Sequence, residues 1–164
     1  MSTSTTAPVA QAPGAGDARW FLGALNTIKS TAETTGGAVA VIECLAPAGH
    51  GSPLHVHHRE DEWFYVLEGA LRFQVGGEVI DAPAGSFVFG PRDVPHTFEV
   101  VSPEARFLLV AEPAGFEGFL RELSAPASAP TLPPAGVGTP APEAMMAAAA
   151  RYGLEVLGPP GIPA

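Results

Sequence analysis

The sequence predicts an all-β domain, built as a sandwich or barrel of short antiparallel strands. Runs of β-branched and aromatic residues recur at intervals of about 8–12 residues, which is the spacing typical of such folds. Gly or Pro separates most of these runs, and the 164-residue chain contains 19 Gly and 18 Pro. That composition suits many turns and does not suit a helical bundle. A chain of this length predicts one domain that needs no disulfides, since it can bury about 68–70% of its unfolded surface.

The predicted strands follow one another along the middle of the chain. Tight turns are expected at Gly36-Gly37, Glu68-Gly69 and Gly76-Gly77, where Gly permits the backbone of a hairpin. The strand-like runs, in order, are RWFLGALNTIKS, AVAVIECL, LHVHH, EWFYVL, ALRFQV, EVIDA, SFVFG, HTFEVVS and EARFLLVAE. The first of them is the least regular, although strand is favoured there as well.

Four segments organise the chain. Residues 1–18 hold almost no bulky apolar side chain and predict a disordered arm, or an arm that becomes ordered against a partner subunit. Residues 19–124 form the barrel domain and end in the amphipathic helix FEGFLREL. Residues 125–138 are rich in Pro and Ala and predict an extended linker. Residues 139–164 predict a helix, capped by Thr139 and ended by Gly153, and a tail.

Charge and cysteine content exclude several classes of protein. The net charge of −9 and the pI of about 4.8 argue against a nucleic-acid partner or an anionic membrane surface. The single cysteine, Cys44, cannot form an internal disulfide and predicts a buried thiol. No apolar run reaches the roughly 18 residues of a membrane-spanning helix, so a cytoplasmic protein is expected.

The segment GHGSPLHVHHREDEWFYVLEG carries the strongest chemical signal. His55 and His57 are two residues apart, so one strand can direct both imidazoles to the same side. Glu62 begins the next strand, and His96 begins a later one. Three imidazoles and a carboxylate at one point suit a divalent transition metal. Ordinary surface histidines beside a Glu-rich turn would explain each position alone, but they explain the set of four less well.

The pattern resembles the two signature motifs of the cupin superfamily. The first motif, G(X)5HXH(X)4E(X)6G, is matched by Gly49, His55, His57, Glu62 and Gly69. The second motif, G(X)5PXG(X)2H(X)3N, is similar to residues 85–100.

Three positions of the second motif agree and two depart. Gly85, Pro91 and His96 stand as in the motif, whereas Asp93 replaces the usual Gly and Val100 replaces the usual Asn. The resemblance covers residues 19–123. It implies a jelly-roll β-barrel that binds one divalent ion (Fe, Ni, Mn, Co, Cu or Zn) through His55, His57, Glu62 and His96.

Within that superfamily, the segment HVHHREDEWFYVLEG and the helical tail ending ARYGLEVLGPP resemble the quercetin 2,3-dioxygenase-like group of single-domain cupins. This implies a dioxygenase that acts with O2 on a flavonol or another enolic aromatic substrate, with Glu62 as metal ligand and catalytic base. The side chains expected to form the substrate pocket are His50, Phe64, Phe73, Phe89, Phe98 and Val100.

Two other functions remain open at this point. A non-redox cyclase, isomerase or dehydratase would use the ion only to polarise a carbonyl group, and a binding module would use it only to organise a pocket. A homodimer is also expected, because FLLVAE is apolar on both faces, with Phe107 and Leu109 on one face and Leu108 and Val110 on the other.

Overall fold

The computed structural model describes residues 6–162 and shows a mostly β protein with short helices. The start of the predicted arm, residues 1–5, lies outside the described residues, and residues 6–16 adopt neither helix nor strand. The elements are β1 Asp17–Phe21, β2 Ala24–Ser30, α1 Ala32–Thr35, β3 Ala40–Pro47, β4 Pro53–His57, β5 Asp61–Glu68, β6 Ala70–Val75, β7 Glu78–Pro83, β8 Phe87–Gly90, β9 His96–Val100, β10 Glu104–Glu112, α2 Phe116–Leu123, β11 Ala125–Pro126, α3 Pro142–Tyr152 and β12 Leu154–Pro160.

The strands form two antiparallel sheets that face each other. One has the order β11-β1-β2-β3-β10-β5-β8, and the other has the order β12-β4-β9-β6-β7. Side chains from both sheets meet in the interior, where Phe64, Phe73 and Phe107 are almost fully buried. The predicted all-β jelly-roll is therefore confirmed.

Alternation along the strands determines which side chains enter the core. In β10 the residues at every second position, from Ala105 to Ala111, are buried, and the residues between them are partly exposed. Phe107 and Leu109 thus face the interior, while Leu108 and Val110 face outward, as a period of two requires.

The two longer helices pack together beside the barrel. Helix α2 occupies the predicted segment and buries Phe119, Leu120 and Leu123. Helix α3 begins at Pro142 rather than near Thr139, because Ala141 precedes a proline and is held in an extended conformation. It ends at Gly153, whose φ of 73° is the left-handed conformation that favours Gly at a helix end. None of the helices in the described residues has the length and hydropathy needed to cross a bilayer.

The segments around α3 pack against the barrel. After β11, the Pro-rich segment runs along the outside of the first sheet, where the indole of Trp20 donates a 2.7 Å hydrogen bond to the carbonyl of Thr131. Leu132 and Val137 cover Trp20 there. After α3, strand β12 pairs with β4. The sequence did not predict β12, because Gly and Pro interrupt it. Proline is tolerated there because β12 is an edge strand.

Candidate metal centre

Strand β4 provides two imidazoles at one point in the interior. His55 and His57 lie two residues apart and face the same way, with their Nε2 atoms 3.1 Å apart. The side chain of His57 is fully buried and that of His55 is 13% exposed. The alternation expected from the sequence is therefore what the structure shows.

Strands β5 and β9 complete the cluster. The Oε2 atom of Glu62, from β5, lies 2.7 Å from Nε2 of His96, which is the first residue of β9. The same oxygen lies 3.3 Å from Nε2 of His57 and 3.9 Å from Nε2 of His55. His55 and His96 are register partners in adjacent strands. The four donor atoms all lie within 4.8 Å of one another.

Hydrogen bonds on the far side of each ring fix which nitrogen faces the cluster. Nδ1 of His55 lies 2.8 Å from the carbonyl oxygen of Pro53, and Nδ1 of His96 lies 3.1 Å from that of Val94. A carbonyl oxygen can only accept, so both Nδ1 atoms carry a proton and both Nε2 atoms are left to coordinate. Nδ1 of His57 donates in the same way to the carboxylate of Glu60, at 3.2 Å.

The spacing of the donors fits a single ion. Ligands about 2.1 Å from one metal and at right angles to each other stand about 3.0 Å apart, and ligands in opposite positions stand about 4.2 Å apart. Four donor separations are given above: three join Oε2 of Glu62 to the imidazole Nε2 atoms, and one joins the Nε2 atoms of His55 and His57. They range from 2.7 to 3.9 Å. The cluster of His55, His57, Glu62 and His96 is thus suitable for a divalent transition metal.

Burial and charge shift the titration of these groups. Burial raises the pKa of Glu62, but the charge of His57 and hydrogen bonds with the three imidazoles outweigh it and hold that pKa well below its usual range. Burial lowers the pKa of His57, yet the carboxylates of Glu62 and Glu60 raise it to about 10. Burial lowers the pKa of His55. A metal ion must therefore displace a proton from His57 in the metal-free protein.

An apolar cavity of about 110 Å³ adjoins the cluster. His55 and Glu62 form part of its wall, and three of the residues predicted for a substrate pocket, His50, Phe64 and Phe98, also line it. The remaining wall comes from both sheets and from the two packed helices. Side chains that sequence reasoning did not assign to the cavity include Phe21, Leu22, Phe116, Phe119, Met145 and Leu154.

The other three predicted pocket residues lie elsewhere. Phe73 and Val100 are buried in the core and do not line this cavity. Phe89 is 40% exposed on the outer side of the first sheet, where its ring lies 4.7 Å from that of Trp63. Both Phe residues of β8 face outward and Val88 faces inward, so the expectation that Phe89 flanks a substrate is corrected.

The loop before His96 shows how the unusual Asp93 is accommodated. Asp93 has a φ of +63°, the left-handed region that Gly normally occupies and that Asp tolerates better than most residues. Its amide donates a hydrogen bond to the carbonyl of His57, and its carboxylate lies 2.6 Å from Nδ1 of His58. His58 is itself about half exposed and directed away from the cluster, as the sequence predicted.

A family model described as "Cupin domain" matches residues 41–111, which hold all four donor side chains. These residues form a cupin domain. This cupin is 29% identical to the quercetin 2,3-dioxygenase of Bacillus subtilis over 102 residues, which are 62% of this chain and 30% of that enzyme. The chain therefore spans well under two thirds of that relative's length.

Two solved structures have a similar fold. Oxalate decarboxylase from Bacillus subtilis superposes with a TM-score of 0.53 at 25% identity, over 59% of this cupin and 27% of that chain. KdgF from Halomonas sp. superposes with a TM-score of 0.54 at 19% identity, over 58% of this cupin and 84% of that chain, and supports the fold alone.

Proposed function

We propose that this cupin is a metal-dependent dioxygenase that cleaves an enolic aromatic substrate with O2. The observation that carries the proposal is the apolar cavity whose wall includes His55 and Glu62 of the metal cluster. A substrate oxygen can reach the ion while the ring rests among phenylalanine side chains. The similarity to a quercetin 2,3-dioxygenase supports the same reaction class.

The size of the cavity favours a substrate with one ring over a flavonol. Pockets that hold drug-sized ligands typically measure about 300–1,000 Å³, whereas a cavity of about 150 Å³ holds benzene. The cavity here is about 110 Å³. A flavonol would require the packed helices α2 and α3 to move outward, since Phe119 and Met145 from these helices form part of the wall.

The side chains of this chain would divide the work. His55, His57, Glu62 and His96 would hold the ion, which supplies Lewis acidity and, for a redox-active metal, electron transfer to dioxygen. Glu62 would also accept the proton of the substrate hydroxyl, because its second oxygen is not among those that contact the imidazoles. Phe64 and Phe98 would exclude water from the reacting atoms.

Measurement of oxygen uptake by metal-loaded protein tests the proposal. Protein purified without chelator is analysed for metal, and an oxygen electrode records uptake with catechols, enolic monocyclic ketones and flavonols. Glu62→Gln should lower turnover by orders of magnitude, while Glu78→Gln, an exposed change on β7, should not alter it. Uptake that is unchanged in Glu62→Gln would refute the role of this carboxylate.

A non-redox reaction is the second candidate, and the structural similarity to oxalate decarboxylase favours it. The cavity lining argues against oxalate itself, because no Arg or Lys is among the residues that line it in the described chain. A small dianion would find no cationic partner there apart from the ion. Turnover that is equal with and without air would favour a cyclase, isomerase or dehydratase, and a ligand recovered unaltered would favour a binding protein.

We also propose that the protein is a homodimer. Tyr65, Phe87 and Phe89 are 40–55% exposed on the outer side of the first sheet, next to Leu108 and Val110. Two copies related by a twofold axis can cover this outer aromatic face with the same face of the partner. Sedimentation of the wild-type protein at micromolar concentration should show a dimer. The double variant Phe87→Ser with Phe89→Ser should be a monomer, whereas the exposed control Val79→Ser should remain a dimer. A monomeric wild-type protein would refute the proposal.

A further inference from the structure

A second carboxylate beside the cluster, that of Glu60, is buried where the sequence predicts an exposed charged turn. It lies between β4 and β5, in the segment Arg-Glu-Asp, yet only 3% of its surface is exposed. Asp61, the next residue, behaves as expected and pairs with Arg92 near the surface. Burial of a carboxylate is costly unless a donor or a cation compensates it, so the position of Glu60 requires a reason.

The contacts of Glu60 point to His57. Its Oε2 atom accepts a hydrogen bond from Nδ1 of His57 at 3.2 Å, and both side chains are at least 96% buried. On the other side, Glu60 lies under Gly115, where an added Cβ would stand 3.4 Å from Oε1. The carboxylate is therefore packed directly behind the imidazole whose Nε2 faces the cluster.

The other two imidazoles of the cluster are held by backbone carbonyls and not by a charge. His55 and His96 donate from Nδ1 to Pro53 and Val94. A carboxylate is a stronger acceptor than a carbonyl, so it increases the electron density that Nε2 offers to a metal. Among the three, His57 is also the ring with no exposed surface.

The negative charges around His57 also favour the binding of a cation. Glu60 and Glu62 lie on opposite sides of one imidazole, so the interior holds two carboxylates close to the same point. Arg92 belongs to the Asp61 pair and does not reach Glu60 within salt-bridge distance. A doubly charged cation would balance both carboxylates.

We propose that Glu60 is a positioning residue of the metal centre: it fixes His57 with Nε2 toward the ion, and it contributes the second negative charge that selects a divalent cation. The inference rests on the proposed metal site and is independent of which reaction the site catalyses. It adds a carboxylate to the four donors that the sequence motif identifies.

Titration with cobalt(II) chloride tests the proposal, in competition with a chelator and with the cobalt absorption spectrum as a second readout. Glu60→Gln keeps an acceptor oxygen and loses the charge, and we expect cobalt affinity to fall about 10- to 100-fold with an altered spectrum. The cobalt affinity of Glu60→Ala should fall further than that of Glu60→Gln. The control is Glu43→Gln, since Glu43 is a partly buried carboxylate of β3 that pairs with Lys29 and Arg106 and not with an imidazole of the cluster.

The outcomes separate the two proposals. Cobalt affinity of Glu60→Gln within twofold of wild type, or an equal fall in Glu43→Gln, would overturn the role of Glu60. Circular dichroism and thermal unfolding of the metal-free variants show whether a loss of cobalt affinity comes from misfolding. If it does, Glu60→Asp, which restores the charge, must recover cobalt affinity for the proposal to stand. Wild-type protein that binds cobalt but turns over no substrate would refute the proposed reaction and leave this inference intact.

Discussion

Replacement of Phe64 by Ala should weaken both the fold and the metal centre. Phe64 is 2% exposed, and its ring lies 4.9 Å from that of Phe73 and 6.2 Å from that of Phe98. It also meets the ring of His96 edge to face at 6.3 Å. Truncation of a buried Phe to Ala typically costs about 3–5 kcal/mol, because apolar contacts are lost and a cavity remains.

The loss of stability can also be derived from the apolar area that Phe64 buries and converted to a change in melting temperature. A buried Phe removes about 150–250 Å² from water, which at about 25 cal/mol per Å² corresponds to roughly 4–6 kcal/mol. For a chain of this size, 1 kcal/mol shifts the melting temperature by about 2–4 °C, so a fall of about 10–15 °C is expected. Urea denaturation and differential scanning calorimetry of the metal-free protein measure it.

Phe73→Ala is the matched control. Phe73 is fully buried and contacts Phe64 and Phe98, but it contacts none of the three cluster imidazoles. Both variants should lose a similar amount of stability, while only Phe64→Ala should lower cobalt affinity, by several-fold, because His96 loses the ring beside it. Equal cobalt affinities in the two variants, or a loss of under about 1 kcal/mol in Phe64→Ala, would refute this reasoning.

Two further predictions concern titrating groups. Burial raises the pKa of the Cys44 thiol, so a thiol reagent at pH 8 should react with it only after unfolding in urea; fast labelling of the native protein would contradict its burial. In the metal-free protein, burial lowers the pKa of His57, but Glu62 and Glu60 outweigh burial and raise that pKa from 6.5 to about 10. The pairing of protonated His57 with these carboxylates therefore stabilises the fold fully below pH 6.5, and this stabilisation is lost as pH rises toward 10. Urea denaturation at pH 6.5 and 9.5 should show a decline that His57→Asn lacks, at most about 1.4 kcal/mol per pH unit; identical slopes would contradict the ion pairing.

The donor cluster was predictable because local rules determine it. The spacing of His55 and His57 is that of one strand face, Glu62 is the second residue of β5 and His96 is the first residue of β9, so alternation and the motif spacing suffice. Helix α2 was predictable for the same reason, since its apolar residues recur at helical spacing.

The rest of the site depends on contacts that local patterns do not encode. Strand β8 is short and apolar on both faces, so nothing in SFVFG shows that Val88 and not Phe89 faces inward. Met145 and Leu154 reach the cavity from segments about 90 to 100 residues beyond His55, and their placement depends on tertiary packing. The burial of Glu60 was hidden because charged residues in a turn are normally solvated.

The pairing of β12 with β4 has a practical consequence for handling this protein. On its other side β4 meets β9 only at His55 and His96, so most of the backbone support of the strand that holds His55 and His57 comes from residues 154–160. A purification tag fused directly after Gly153, or a protease cut that releases β12, would leave every donor side chain present and still cause poor metal loading. Recombinant forms of the protein should therefore keep residues 154–160, and low metal content in a shortened protein should first be attributed to an unsupported ligand strand.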